Sequence, residues 1–419
     1  YYKTDATMNP SNKDWACGVN GDFLDASNAT QIQSRNAGFT IGDTKRTYRL
    51  ALSCTGEYAV AVAGANPSKN DVFAAMTTTM NRVNGIYERE LAITMEFIPN
   101  NDTIIYTDPT LDPFTANNNG GQLLGQNQSN TNTVIGAANY DIGHIFSTGA
   151  GGIAYLGSVC GNNMKARGVT GRPNPVGDPF DVDYVSHEMG HQFGANHTFN
   201  VCSGTEYQYS AYEPGGGTTI MAYAGICGSM NNIQQNSNDY FHKTSLDEIS
   251  YFFTNMQTGT CAVTDTGYNA PTINVSTTAY SIPKLTPFEL DYPSATPDSI
   301  GNYINGNIEQ YNLGNFTQDE NLAPNFTVGP AFRSVSPDTI SQRVFPRMTI
   351  VRTGLTGVRG ERLSAVGRNY KFAYNAREIR NDGWGAVNSS DVKTNIAVSG
   401  ASGPFVVLYP SLGDSIKKN

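Results

Sequence analysis

The chain has 419 residues, enough for two or three domains with full-sized cores. Charged residues make up only 15% of it, and the net charge of −9 comes without a basic cluster, which argues against a nucleic-acid partner. No run of eighteen apolar residues occurs, so the sequence predicts no membrane span.

The N-terminal stretch is polar and rich in turn-forming residues. Residues 1–45 show no periodic pattern and are predicted to form a strap or a propeptide-like segment. The chain begins with Tyr1 rather than methionine, which we interpret as a processed form whose leader lies outside this numbering.

Residues 46–267 alternate strand and helix patterns. The runs that predict strands are TYRLALSC (47–54), AITMEFIP (92–99) and YDIGHIFSTG (140–149), the last followed by a glycine-rich stretch. The runs with helical spacing are residues 70–91, 182–194 and 245–257. We expect Ser245 to lie near the N-cap of the last helix.

Residues 268–419 change in character. Short β-type runs are separated by Pro, Gly, Asn and Asp; examples are PTINVSTTAYSIP, RMTIVRTG, YKFAYNA and GPFVVLYP. This spacing predicts an all-β, antiparallel sandwich of immunoglobulin-like size, without the usual cysteine pair.

The stretch HEMGHQFGANH holds three of the five histidines of the chain. On a helix, His187 and His191 lie four positions apart and project from one face, so two ring nitrogens can converge on one zinc ion. Glu188 can take a proton from a water at the open position of the metal. Gly194 can end the helix with a positive φ, after which His197 can return as the third ligand. An ordinary helix with incidental histidines is the alternative, and the scarcity of histidine disfavours it.

HEMGHQFGANH resembles the extended zinc motif of the metzincin metallopeptidases. TTIMAYAG (218–225) is similar to their methionine turn, with Met221 as the residue beneath the metal. The reprolysin (adamalysin) branch is the most similar, especially secreted bacterial members that append a β-sandwich. That branch usually has aspartate after the third histidine, where this chain has Thr198. Tyr223 has a placement similar to the tyrosine that can bind zinc in astacins and serralysins.

The resemblance implies an α/β catalytic domain with a twisted, mostly parallel sheet and an active-site helix. It implies a secreted zinc-dependent metalloendopeptidase that hydrolyses peptide bonds in protein or peptide substrates, with one catalytic zinc and Glu188 as the general base. For Tyr223, a buried residue beside the methionine turn and a metal-proximal, transition-state role are both open. The alternative function is a catalytically silent, zinc-stabilised adhesion or binding module.

The cysteines leave the pairing open. They are Cys17, Cys54, Cys160, Cys202, Cys227 and Cys261, and an even, scattered set is typical of disulfides in an extracellular protein. If Cys202 pairs with Cys227 and Cys160 with Cys261, the other two remain. The sequence ACGV around Cys17 resembles the cysteine switch of metzincin propeptides, whose thiolate occupies the zinc. The even count instead favours a Cys17–Cys54 disulfide, which is the interpretation that we prefer.

Other polar residues have weaker alternatives. His144 and His242 are expected to be structural, with a substrate contact as the alternative for His144. The carboxylates of Asp178, Asp181 and Asp183 are suitable calcium ligands. We prefer a role at the positive N-terminal end of the active-site helix for these three.

Overall fold

The structure is a computed structural model of the chain. It describes residues 17–20, 38–149, 151–202, 204–256, 259–316, 325–339, 342–355 and 357–406. Most of the predicted strap at residues 1–45 lies outside the described residues, as does the second half of GPFVVLYP.

A seven-stranded sheet forms the base of the N-terminal half. Its strands are β1 (Cys17–Asn20), β3 (Thr44–Cys54), β4 (Ile93–Phe97), β5 (Ile142–Ser147), β6 (Gly151–Tyr155), β7 (Gly168–Gly171) and β8 (Val263–Thr266), while β2 (Phe39–Ile41) belongs to another sheet. The order is β1-β6-β7-β5-β3-β4, and β8 pairs with the start of β3. Most pairs are parallel, as expected; β6 is antiparallel to β7, and β8 to β3.

Helices alternate with the strands along the chain. They are α1 (Gly56–Ala63), α2 (Lys69–Leu91), α3 (Gly120–Val134), α4 (178–192), α5 (Gly228–Asn231), α6 (Lys243–Asn255) and α7 (Met348–Thr353). In α2, Ser68 accepts a hydrogen bond from the N–H of Asp71 as the N-cap, and the buried residues Val72, Met76 and Met80 recur every four positions. The helices α1 and α3 are not predicted from the sequence, since glycine, asparagine and glutamine obscure the periodicity of α3.

The helix α4 runs without interruption through three hydrogen-bonding patterns. An α-helical turn at Asp178–Phe180 leads into a π-helical segment at Asp181–Ser186 and then into an α-helix at His187–Gln192. Every residue of the last segment is buried. A wide π turn inside an α-helix is frequent at functional sites, and here it ends at the first histidine of the motif.

The C-terminal half is built on a mixed six-stranded sheet. Its strands and those of two small sheets are β9 (Thr272–Ile273), β10 (Thr278–Pro283), β11 (Phe288–Asp291), β12 (Ala295–Thr296), β13 (Tyr303–Gln310), β14 (Gln342–Phe345), β15 (Arg368–Ile379), β16 (Gly385–Ser389) and β17 (Thr394–Ser399). The large sheet has the order β10-β17-β15-β16-β2, with β13 paired to β15. The pairs β11-β14 and β12-β9 stand apart. An immunoglobulin-like sandwich remains a prediction.

The strand β2 crosses the boundary expected from the sequence. It pairs with β16 of the C-terminal sheet, Ile41 opposite Val387, although the next residues enter β3 of the first sheet. Gly42 makes the transition with φ +100°, and a Cβ there would lie 2.6 Å from the Cβ of Ala386. The division between residues 267 and 268 stays a prediction.

Two local expectations are wrong. Residues 347–354 were predicted as a β-type run, but Met348–Thr353 form α7, because four β-branched or Met residues in a row fit a short helix as well as a strand. The N-cap of α6 is His242, whose side chain accepts from the N–H of Thr244, rather than Ser245. Among the described residues, no helix combines the length and apolarity needed to cross a membrane.

Candidate metal centre

The three histidines of the motif converge on one point. His187 and His191 lie one turn apart in α4, and the Nε2 atoms of these two rings are 3.1 Å apart. The Nε2 of His197 also lies 3.1 Å from that of His191. These three form the one group of three or more His, Cys, Asp or Glu side chains with metal-binding spacing among the described residues.

Each ring is oriented by a backbone carbonyl. The Nδ1 of His187 donates to Ile220 at 2.7 Å, that of His191 to Ala195 at 2.7 Å, and that of His197 to Thr205 at 2.8 Å. Because a carbonyl can only accept, Nδ1 carries the proton and the lone pair of Nε2 faces the common point. Such a partner behind each ring is usual for histidines that bind a metal.

The rings are neutral as well as oriented. Burial lowers the pKa of His187 to about 4 and that of His197 to about 3. Burial, aided by the two neighbouring histidines, also lowers the pKa of His191 well below its ordinary value. A neutral imidazole is the form that binds zinc. Three neutral nitrogen donors without a carboxylate or thiolate among them fit a zinc ion that keeps an open coordination position.

The end of α4 brings the third histidine back. Gly194 has φ +98°, a conformation that side chains rarely adopt, and its N–H donates to the carbonyl of His191. The N–H of Ala195 donates to Gly190. The expected reversal at Gly194 is therefore present, and it turns His197 toward the helix.

Glu188 follows the first histidine of the motif and lies against the strand β6. It is fully buried, and a Cβ built on Gly152 of β6 would lie 1.9 Å from its Oε1. Any side chain at position 152 would displace this carboxylate. Gly152 is a site residue that the sequence reasoning missed, although the glycine-rich run after β5 was a signal for a close approach of backbone.

Met221 lies beneath the histidine helix. It is fully buried, and a Cβ on Gly190 would meet its Sδ at 2.5 Å, so glycine is required where the helix passes over the methionine. The residue before it, Ile220, supplies the carbonyl that holds His187. The turn thus supports the helix and orients the ring of His187.

A family model agrees with this geometry. The model described as metallo-peptidase family M12B, reprolysin-like, matches residues 44–252, which include the histidine cluster and the methionine turn. Residues 44–252 are therefore similar to this family, and the histidine cluster is consistent with a metzincin, reprolysin-like domain. A comparison with curated proteins finds no match. The family implies protein or peptide substrates for this reprolysin-like domain.

Tyr223 lies beside the histidine cluster. Its ring centroid is 4.6 Å from that of His197 and 5.7 Å from that of His187, and it packs on Phe199 at 4.4 Å. The side chain is 3% exposed. It is therefore both buried beside the turn and adjacent to the site.

Two disulfides frame the domain, and the expected third is absent. Cys202 pairs with Cys227 across the segment between His197 and the methionine turn, and Cys160 pairs with Cys261. The preferred Cys17–Cys54 disulfide is wrong, because Cys54 is a free thiol buried at the end of β3. Its Sγ lies 3.6 Å from the carbonyl of Tyr106.

The remaining histidines have structural contacts. His144 is fully buried, with Nδ1 2.8 Å from Gln192 Oε1 and Nε2 2.8 Å from Thr170 Oγ1, and burial lowers its pKa to about 4. It joins β5 and β7 to α4. His242 caps α6, and its Nε2 lies 3.9 Å from Glu309 Oε2.

The three aspartates at the start of α4 diverge. Asp178 forms an ion pair with Arg82 at 2.8 Å, Asp181 accepts from Thr79, and Asp183 accepts from the N–H of Ser237. Carboxylates that bind separate partners do not build the calcium site considered from the sequence.

Proposed function

We propose that this chain is a secreted zinc-dependent metalloendopeptidase in which Glu188 is the general base. The observation that carries the proposal is the convergence of three buried Nε2 atoms, each on a ring whose Nδ1 donates to a carbonyl. His187, His191 and His197 would hold the zinc. When bound, zinc supplies Lewis acidity that polarises a peptide carbonyl and acidifies water.

The position of Glu188 suits proton transfer. Its carboxylate lies one residue along the helix from His187 and against the backbone of β6 at Gly152. A carboxylate between the proposed metal ligands and β6 can accept a proton from the attacking water and deliver it to the leaving amine. Tyr223, beside His187 and His197, is the candidate for stabilising the developing negative charge.

The outer side of β6 would hold the substrate once β1 has left it. An extended peptide can add to such an edge through backbone hydrogen bonds that any sequence offers, which fits an endopeptidase. In the structure this edge is taken by β1, which runs parallel to β6 with Cys17 opposite Gly152. We infer that residues 17–20 occupy the substrate position, with Cys17 opposite Gly152. We further infer that the chain is latent in this form through Cys17, as in the cysteine switch considered from the sequence.

The disulfides support secretion, since such bonds persist in oxidising compartments.

For residues 268–419 we propose the immunoglobulin-like sandwich. It is supported by two packed layers, in which Phe288 and Phe345 of the β11-β14 pair contact Tyr370 and Phe372 of the large sheet.

The test uses the full chain carrying Cys17→Ser, with and without Glu188→Gln, beside the wild type. Zinc content is measured in all three, together with cleavage of a denatured protein. We expect one zinc in each, cleavage by Cys17→Ser, and a loss of about 10²–10⁴-fold in rate when Glu188 is also replaced. The amide of glutamine keeps the shape of the side chain but cannot accept the proton.

Three results would each contradict one part of the proposal. A wild-type chain that binds no zinc would exclude the proposed zinc site and, with it, the metallopeptidase function. Equal cleavage with and without Glu188→Gln would exclude Glu188 as the base. Equal cleavage by the wild type and Cys17→Ser would leave the peptidase assignment intact but exclude Cys17 as the cause of latency.

A further inference from the structure

His197 is held in position by different contacts from those that hold His187 and His191. His187 and His191 are carried by α4, whereas His197 follows the end of the helix in a segment without regular structure. The N–H of the next residue, Thr198, donates to the carbonyl of Met221 at 3.1 Å, and the N–H of Glu213 donates to the carbonyl of Thr198 at 2.8 Å. The position of this ligand therefore depends on two segments distant in sequence.

The side chain of Glu213 joins the same segments. It is fully buried. Its Oε2 accepts from the hydroxyls of Thr198 at 2.7 Å and Thr219 at 2.5 Å. Its Oε1 accepts from the N–H of Thr218 at 2.9 Å and lies 3.0 Å from the hydroxyl of that residue. Both carboxylate oxygens thus face donors, as a buried carboxylate requires.

These contacts connect the first ligand to the third. Thr218 and Thr219 lead directly into Ile220, whose carbonyl orients the ring of His187. Thr198 follows His197. One buried carboxylate therefore holds the residue after the third ligand against the segment that orients the first. The resemblance to the family predicts an aspartate at position 198; here a hydroxyl stands there and donates to a carboxylate 15 positions further along.

We propose that Glu213 is a positioning residue of the metal centre, which sets His197 relative to His187 so that their Nε2 atoms meet at one zinc. The inference rests on the proposed zinc site. Glutamine at this position would keep the volume but turn an amide NH₂ toward groups that now donate. The N–H of Thr218 cannot reverse its role, so the amide oxygen would stay there and the hydrogen bonds to Thr198 and Thr219 would have to rearrange.

The experiment compares the full chain as wild type, Glu213→Gln and Glu378→Gln. Glu378 is a matched control, since it is fully buried and accepts from the N–H of Asp298 and the amide of Asn302 in the C-terminal half. Zinc affinity is measured by competition with a coloured chelator, and the absorbance spectrum is recorded after replacement of zinc by Co²⁺. We expect Glu213→Gln to weaken zinc binding about 10–100-fold and to change the Co²⁺ spectrum. Glu378→Gln should match the wild type in both.

Thermal unfolding of the metal-free chains separates positioning from plain stability. If Glu213→Gln lowers the unfolding temperature but retains the zinc affinity and Co²⁺ spectrum of the wild type, Glu213 is structural only and the inference is overturned. A wild type that binds no zinc would instead refute the proposed function itself.

A second pair of variants covers the case in which Glu213→Gln does not fold. Thr198→Val deletes a single donor to Glu213, and Thr198→Ser keeps it. Zinc binding should weaken in the valine variant and return to the wild-type value in the serine variant. Wild-type affinity in both would overturn the inference.

Discussion

Between its helices and its seven-stranded sheet, the reprolysin-like region has an apolar core, whereas the surface where the C-terminal sheet meets it is rich in buried charge. The apolar core includes Leu52, Met80, Phe146 and Phe241, each no more than 1% exposed. At the junction, by contrast, Arg377 of β15 is 1% exposed and forms an ion pair with Glu90 of α2 at 2.9 Å.

The junction is a hydrogen-bonded network. Arg377 also donates to Asn307 Oδ1 at 2.8 Å and to the carbonyl of Phe241 at 2.9 Å. Glu309 of β13 accepts from the N–H of Lys243 at the start of α6. Apolar contacts tolerate sliding, but these bonds require one register between the two halves. The apolar core therefore contributes most of the stability, while the hydrogen bonds of the junction fix how the two halves pack against each other.

Deleting a core aromatic should have the largest effect on stability. Phe146 is fully buried and contacts Tyr58 and Phe180, so Phe146→Ala should cost about 4 kcal/mol of unfolding free energy through lost burial and a cavity. Phe372→Ala in the smaller C-terminal cluster should cost less, because half-buried neighbours such as Phe288 can move into the space. Denaturant unfolding measures both, and an equal or larger cost for Phe372→Ala would break the comparison.

Removing the ion pair between Arg377 and Glu90 at the junction should have the second-largest effect on stability. Arg377→Met should cost about 3 kcal/mol of unfolding free energy, because Glu90 stays buried and, within the described part of the chain, keeps Arg89 as its remaining ion-pair partner. Adding Glu90→Gln should recover part of this loss, since the remaining charge is then removed. A double variant no more stable than Arg377→Met would show that the contribution is packing rather than charge.

A buried carboxylate within the reprolysin-like region gives a smaller effect that depends on pH. Burial raises the pKa of Asp181 to about 6 from its ordinary 3.8. Well below pH 3.8 the carboxyl is protonated in both states. As pH rises from about 3.8 to about 6, the unfolded chain releases this proton before the folded chain does, so the folded state loses stability across this window. Between pH 4 and pH 8, the unfolding free energy of Asp181→Asn should therefore rise by roughly 2–3 kcal/mol relative to that of the wild type. The amide oxygen can still accept from Thr79. A stability difference that does not vary with pH would exclude this cost.

The features that the sequence predicted correctly depend on the spacing of residues that are close together in the chain. The four-residue spacing of His187 and His191 and the glycine at 194 are short-range properties, and the structure has the helix and the reversal that they predict. The strand at residues 47–54 and the helix at residues 70–91 follow from periodicity in the same way.

The features that the sequence did not predict depend on contacts between residues distant in the chain. The Cys17–Cys54 bond was preferred by counting, but Cys54 ends a buried central strand while β1 lies at the far edge of the sheet. The partnership of β2 with β16 and the contact of Gly152 with Glu188 also join positions that share no local pattern.

By itself, then, the sequence determined the zinc motif, its helix and its family resemblance, because a helix brings residues four apart onto one face whatever surrounds it. Tertiary structure alone decided which carbonyls orient the rings and that Glu213 ties Thr198 to the methionine turn. It also decided that Arg377 meets Glu90. Those contacts depend on where distant segments are buried together, and burial is a property of the folded chain.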